Sequence, residues 1–359
     1  MNADDPPASP APPAPPARLD DRTGTGRHGQ PTGALPDPLA SAVGLLACPV
    51  CGEAGLTATS RRSRVGGLSC PAGHHWDANR QGVVNLLTGA GTRFTPDTPD
   101  MVAARDRFLG AGHYEPIAAA VATAVLDAFD ALDARPGPAA VLDAGAGTGY
   151  YLDAVLTALA ASGGSMPGAE TDGVGSTEPG TGPGAARHRG PAAVATDLSP
   201  VALRRLTRAV PAALPLVWDT WRRLPLRDAA VDVVLAVFAP RNLPEFARVL
   251  TDGGVLVLVT PQPGHLDRLR RLTGMLAVDP DKEARVRDAV RGHFTVVAER
   301  DVDVPLRLGL DEAADAAFMG PAGHHLGAEE LTARLSGVTP PVDVDARVTV
   351  HTLRPWSAD

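Results

Sequence analysis

The segment Val141-Leu142-Asp143-Ala144-Gly145-Ala146-Gly147-Thr148-Gly149-Tyr150 constrains this chain more than any other. An apolar run from Ala139 to Ala144 leads into it, and the helical run Tyr150 to Ala160 leads out. A strand, a glycine turn and a helix in that order form a cofactor entry, because glycines let the backbone approach a ligand with no Cβ in the way. The spacing is G-x-G-x-G, not the G-x-G-x-x-G of dinucleotide sites. Asp143 can orient the loop or meet a cationic group, and an acid there suits an ammonium better than a pyrophosphate. On an α/β sheet, Gly145, Gly147 and Gly149 therefore favour S-adenosylmethionine over NAD.

The rest of the chain supplies that sheet. Further apolar runs lie at Ala192 to Thr196, Leu214 to Trp218, Val231 to Phe238 and Val255 to Thr260. Helical patterns separate most of them, at Val201 to Val210, Pro244 to Leu250 and His265 to Met275. Near-continuous apolar strands alternating with helices predict a parallel sheet covered on both faces. Phe294 to Leu308 and Val342 to Arg354 are candidates to close it with antiparallel strands. The expected fold is a doubly wound, Rossmann-like α/β domain over 94–359, behind a small cysteine-bearing module over 41–93.

Two stretches fall outside this pattern. Residues 1 to about 40 are dominated by Pro, Ala, Asp and Gly and read as a disordered arm. Ala161 to Gly190 has neither helix nor strand period and reads as a flexible insertion. That insertion decides the next assignment. An acid at the end of the second strand commonly holds ribose hydroxyls about 20 residues past the glycines. Asp197 lies 48 positions past Gly149, and removing the 30 residues of the insertion leaves 18. Asp197 is therefore the ribose candidate, with a helix N-cap as its alternative, a role Ser199 can fill instead. Asp219, after the third strand, is a candidate neighbour of the adenine or simply a loop acid.

The chain has three cysteines, and with no signal peptide an odd number points to metal or catalysis, not a disulfide framework. Cys48-Pro-Val-Cys51 and Cys70-Pro-Ala-Gly-His74 arrive as two close pairs separated by a loop, the spacing of a tetrahedral zinc ribbon. The ligands would be Cys48, Cys51, Cys70 and His74, with the adjacent His75 as the rival for the fourth position. The chain as a whole carries 33 basic against 41 acidic residues, net −8, which excludes a uniformly basic nucleic-acid binder. Between Arg61 and Arg93, however, stand Arg61, Arg62, Arg64, Arg80 and Arg93 against Asp77 alone, a local net of +4. Clustered guanidinium groups suit a phosphate backbone, although a solvated arginine face is the plain alternative. No apolar run reaches the length needed to cross a bilayer, and a cytoplasmic protein with no membrane partner is expected.

With these residues in hand, a family resemblance follows. C-x-x-C, C-x-x-x-H, GVVNLL (Gly82 to Leu87), DMVAARDRFLGAGHY (Asp100 to Tyr114), VLDAGAGTGYY, VWDTWRRLPLRD and VFAPRN…TPQPGHL together resemble the RlmA-type rRNA guanine-N1 methyltransferases, nearest the actinobacterial tylosin-resistance branch. The match runs from about Leu46 to the C-terminus. It implies a class I S-adenosylmethionine methyltransferase domain and an N-terminal zinc module that grips a hairpin of 23S rRNA near the macrolide site. It also implies cofactor contacts at Tyr114, Gly149, Tyr150 and His265. The Pro-rich arm and the insertion depart from the family pattern without touching a motif residue.

Read without the family, Tyr114 is a packing residue as readily as a ligand contact. His265 follows a strand end, where ligands bind in such sheets. Guanine N1 carries a proton, so a base or a hydrogen bond favouring the enolate form is required. That base is not assignable from sequence. Arg241 and Asn242, just past the fourth strand, are candidates to contact guanine O6 or N1. The oligomeric state stays open, with a homodimer as one possible form. A small-molecule methyltransferase and a non-catalytic zinc-containing RNA-binding protein are the rival readings.

Overall fold

The structure is a computed structural model and describes residues 34–89, 91–130, 139–162, 190–275 and 288–356. Most of the expected arm, 1–33, and most of the expected insertion, 163–189, lie outside the described residues.

The first element of the described residues is helix α1, Asp37–Gly44, so the arm expected to reach residue 40 gives way to structure by residue 37. Pro36 and Pro38 had suggested continued disorder. Proline is tolerated in a first helical turn, where the missing N–H has no partner to lose, and Leu39, Ala42 and Val43 are buried beneath it. Three short strands follow, β1 (Thr57–Arg61), β2 (Arg64–Ser69) and β3 (His75–Asp77), paired antiparallel in that order.

Helices α2 (Pro99–Gly110) and α3 (Glu115–Asp130) then lead into the main sheet. Its strands are β4 (Val84–Asn85), β5 (Ala140–Ala144), β6 (Ala192–Asp197), β7 (Ala213–Val217), β8 (Val231–Val237), β9 (Leu250–Pro261), β10 (Phe294–Leu308) and β11 (Val342–Pro355). The spatial order is β10-β11-β9-β8-β5-β6-β7-β4. The pairs from β4 to β9 are parallel, while β11 runs antiparallel to both β9 and β10, as the two late β-rich segments had promised. The order reverses at β5, which has β6 on one side and β8 on the other. That switch point is where doubly wound sheets open a crevice for ligands.

Helices α4 (Tyr150–Ser162), α5 (Pro200–Ala209), α6 (Leu243–Val249) and α7 (Asp267–Thr273) complete the crossovers. Along each strand the side chains alternate between two buried layers. Val141, Val233, Leu235, Val255 and Val257 enter one; Leu142, Val234, Ala236, Leu256 and Leu258 enter the other. Burial on both faces is the physical reason these runs read as continuously apolar. Two further helices, α8 (Leu310–Phe318) and α9 (Ala328–Leu335), lie between the last two strands.

The module expected over 41–93 does not close on itself. α1 packs on β6 and β7. β4 joins the main sheet beside β7, and Leu46 pairs with Leu226. Leu56, Val65, Leu68, Cys48 and Cys70 share one apolar cluster with Leu142, Val194 and Leu256 of the main domain. Three short strands cannot enclose a core of their own, so they borrow the sheet's. Among the described residues no helix is long and apolar enough to cross a membrane.

Candidate functional site

The glycine loop turns at the carboxyl end of β5. Gly145 takes φ +87°, and a Cβ there would lie 2.6 Å from the Cβ of Ala239. Gly149 takes φ +89°, and a Cβ there would come within 2.9 Å of Leu206. Both positions require glycine for conformation and for space. The backbone N–H groups of Gly145 and Ala146 donate to the Thr196 carbonyl at 2.8 and 2.9 Å, so β6 holds the loop in place.

Asp197, at the end of β6, meets the loop directly. One carboxylate oxygen accepts from the Gly147 N–H at 2.9 Å and the other from the Ser199 N–H at 2.7 Å. Ser199 itself caps α5, its hydroxyl accepting from the Ala202 N–H at 3.4 Å, which leaves Asp197 facing the loop. The flexible-insertion arithmetic thus brings Gly147 and Asp197 together across 50 positions. Burial raises the Asp197 carboxyl above its usual range, opposed by those two N–H donors and by Arg105. Asp143 is buried beneath the turn. Burial, assisted by the charge of Asp197, pushes its carboxyl up to about 8.

Arg105, on α2, escaped sequence reasoning. Its guanidinium pairs with Asp97 at 2.6 Å and donates to the Met319 carbonyl at 2.6 Å. A Cβ on Gly147 would lie 3.5 Å from it. The arginine of DMVAARDRFLG was visible in the sequence, but its approach to a loop 42 positions on was not.

Across β5 from the acids, an aromatic group gathers. Tyr114 is buried, with its ring 6.0 Å from Phe238 and 6.5 Å from His265, and Phe238 lies 5.8 Å from His265. Tyr150 and Tyr151 meet edge to face at 5.2 Å, and Tyr151 lies 6.4 Å from Phe238. Tyr114 and His265 are therefore brought to one place with Phe238, which sequence reasoning did not single out. Burial pushes the His265 imidazole down to about 4, so it is neutral near pH 7; its Nδ1 lies 2.9 Å from the Arg347 carbonyl oxygen.

The remaining candidates divide. The Asp219 carboxylate accepts from the Thr92 hydroxyl at 2.7 Å and from the Trp221 N–H at 3.0 Å. Asn242 Nδ2 donates to the carbonyls of Thr220 and Arg222 at 2.9 and 3.3 Å, so it braces that same loop. Arg241 is half-buried, its guanidinium pKa lowered by burial, and among the described residues it has no hydrogen-bond or ion-pair partner.

The second centre lies on two tight turns. The Gly52 N–H donates to the Cys48 carbonyl at 2.8 Å and the Gly73 N–H to the Cys70 carbonyl at 2.9 Å. These turns aim Cys48, Cys51, Cys70 and His74 inward, with all four potential ligand atoms within 4.8 Å of one another. Cys51 and Cys70 Sγ are 3.8 Å apart, and His74 Nδ1 lies 3.2 Å from Cys70 and 3.6 Å from Cys48. A tetrahedral ion with ~2.3 Å bonds to sulfur has ligand edges of about 3.8 Å. His75 points elsewhere, bonded to the Ser69 hydroxyl at 2.8 Å and Asp77 at 3.1 Å, so His74, and not His75, stands with the three cysteines. Although burial raises it, hydrogen bonds from His74 and Cys48 bring the Cys70 thiol down to about 6.

A strand-end turn whose N–H is met by the neighbouring strand's carboxylate, with a second acid beneath the glycines, is a cradle for a nucleoside bearing an amino-acid tail. It puts this enzyme in the class of S-adenosylmethionine-dependent methyltransferases. The chain belongs to the family of 23S rRNA (guanine-N1)-methyltransferases. A Micromonospora griseorubida protein so named is 42% identical over 319 residues, covering 86% of this chain and 97% of its own. The Streptomyces fradiae 23S rRNA (guanine(748)-N1)-methyltransferase is 36% identical over 310 residues, covering 86% and 96%. Among solved structures, loganic acid methyltransferase with SAH covers 69% of this chain and 95% of its own at 12% identity, with a TM-score of 0.47. No protein-family model matches the chain.

Proposed function

We propose that the protein methylates N1 of a guanine in a hairpin loop of 23S rRNA, using S-adenosylmethionine bound at the glycine loop, with a zinc ion in the Cys48–Cys51–Cys70–His74 cluster. The single observation that carries the reading is the meeting of Gly147 and Asp197 at the switch point of the sheet, in a chain of this family. When bound, the cofactor supplies a methyl group already activated on a sulfonium.

The chain's own residues hold and orient. On this reading Asp197 would exchange its Gly147 N–H contact for ribose hydroxyls, and Asp143 would meet the cationic end of the donor. Tyr114, Tyr150 and His265 would wall the site. Asp219 would serve the adenine, its carboxylate also bonded to the loop that Asn242 braces. The bound donor would supply its methyl to N1 and be left as a neutral thioether, while the N1 proton would pass to solvent. A charged donor at guanine O6 favours that loss by stabilising the enolate form. Arg241 has the chemistry for it, since a half-buried guanidinium without an acceptor is costly until one arrives.

The zinc cluster fits the same reading. Its donor set is closed, three sulfurs and one imidazole, which suits a structural ion. Arg61, Arg62 and Arg80 are exposed, and Arg93, beside the loop of Asp219, stacks over Phe94 at 5.1 Å. None of the four has a carboxylate partner among the described residues. Free guanidinium groups on the face of an acidic protein suit RNA phosphates. An unpaired loop base is accessible to such an enzyme where a duplex base is not. On this reading the enzyme acts in the cytoplasm, and tylosin-type tolerance of the host is the proposed consequence where the methylated guanine lies near the macrolide site.

The test is direct. The purified protein is incubated with labelled cofactor and undermethylated 23S rRNA, and the product is mapped by primer extension, which stops at N1-methylguanine. One strong stop in a hairpin loop is expected. Transfer only to small acceptors, or to no RNA, overturns the proposal.

A further inference from the structure

Phe238, the residue after β8, takes a conformation that bulky residues rarely adopt, φ +53°, and is 42% exposed although the last strand residues before it are buried. Tyr114, Tyr151 and His265 approach its ring at 6.0, 6.4 and 5.8 Å between centroids, yet 42% of the residue stays open. The next residue, Ala239, abuts Gly145, so the exposed ring stands beside the cofactor loop. Outliers of backbone held beside a site are characteristically functional, because the surroundings must over-determine them.

We propose that Phe238 is the platform on which the target guanine stacks during transfer, an inference that rests on the function proposed above. The lateral position separates this ring from the cofactor's own base. Asp197 and Asp219 follow β6 and β7, on one side of β5, whereas Phe238 follows β8 on the other. The adenine and the guanine thus fall on opposite sides of the glycine loop, and the ring serves the latter. An aromatic face suits an extruded nucleobase, since every base presents a π-surface of matching size. The half-buried Arg241, three positions on, can then read the O6 edge while the ring holds the plane.

The experiment compares Phe238→Ala, Phe238→Leu and Phe238→Tyr on undermethylated 23S rRNA, with kcat and KM measured separately and cofactor affinity measured by calorimetry. Phe238→Ala and Phe238→Leu are expected to lose at least about 30-fold in kcat/KM for RNA, with cofactor affinity within twofold of the parent. Phe238→Tyr should recover most of that loss. A hairpin with 2-aminopurine at the target position should be quenched by the parent and by Phe238→Tyr, and stay bright with Phe238→Leu. Full activity in Phe238→Leu, or cofactor affinity falling in step with activity, overturns the platform while leaving the proposed reaction standing. A parent protein that binds cofactor and methylates no guanine overturns the proposed reaction first and this inference with it.

Discussion

Around Cys48, four ligand atoms converge on two turns backed by three strands of three to six residues. Around Gly145, a turn is backed by an eight-stranded sheet and held by main-chain bonds to Thr196. The first centre concentrates three thiols and an imidazole that, on the proposed reading, a cation would hold together. The second is held by hydrogen bonds that the chain makes to itself. On that reading one region depends on what it binds, while the other is formed by the chain alone and would spend little on ordering.

The sharpest way to break that contrast is Cys70→Ser. A structural zinc ion is worth about 10–16 kcal/mol in small isolated modules. The variant should lose its metal, lose hydrogen-exchange protection over residues 46–78, and fall about 100-fold or more in RNA methylation. Cofactor affinity should hold within about twofold. If the glycine loop lost protection as well, the two regions would not be energetically separate.

Asp197→Asn tests the other side. It keeps the shape and removes the charge that accepts from Gly147 and is proposed to receive the ribose hydroxyls. Losing a charged acceptor costs about 1.5–3 kcal/mol, so cofactor affinity should weaken about 10- to 100-fold by calorimetry, with metal content unchanged.

A smaller effect is expected in the pH dependence of stability. Asp143 holds its proton to about pH 8 when folded, whereas an ordinary carboxyl releases it near 3.8. Between those values the folded chain binds the extra proton, so stability should fall as pH rises from about 4 to 8 and level off above. Asp143→Asn should flatten that slope in melting curves. A cationic cofactor should favour the ionised form, so binding at pH 7 should release protons, seen as a buffer-dependent calorimetric heat.

The smallest effect belongs to His75→Ala. It removes an exposed pair with Asp77, worth about 0.5 kcal/mol or less, and should leave the metal in place. Loss of metal would mean that the neighbouring imidazole, and not His74, completes the cluster.

The two regions also differ in how they could be read. Every ligand of the cysteine cluster lies within 26 positions, and metal chemistry accepts few spacings, so sequence alone pointed to the site. Sequence already preferred His74 over its neighbour His75, and the pairing of β2 with β3 turns His75 toward Ser69 and Asp77. The glycine turn and Asp197 were legible for a similar reason, since a βαβ crossover imposes a characteristic distance once the insertion is removed.

The resemblance named Tyr114 and His265, but sequence did not supply their meeting with Phe238 or the approach of Arg105 to the loop. Tyr114, Phe238 and His265 stand on three separate segments, and Arg105 reaches the glycines from a helix that precedes the first sheet strand of the fold's cofactor half. No local period encodes such meetings, because they depend on how α2, β8 and the end of β9 are stacked across the sheet. That the cysteine module shares a core with the sheet was likewise not legible from spacing. Its strands are too short to bury a core, so it shares one with β5, β6 and β9. Sequence by itself therefore determined the alternation of elements, the cluster of cysteines and histidine, and the glycine–carboxylate pair, all set by short-range geometry or fixed crossover lengths. The tertiary structure alone decided which distant side chains share the crevice and where one module ends and the other begins, because both follow from packing surfaces together.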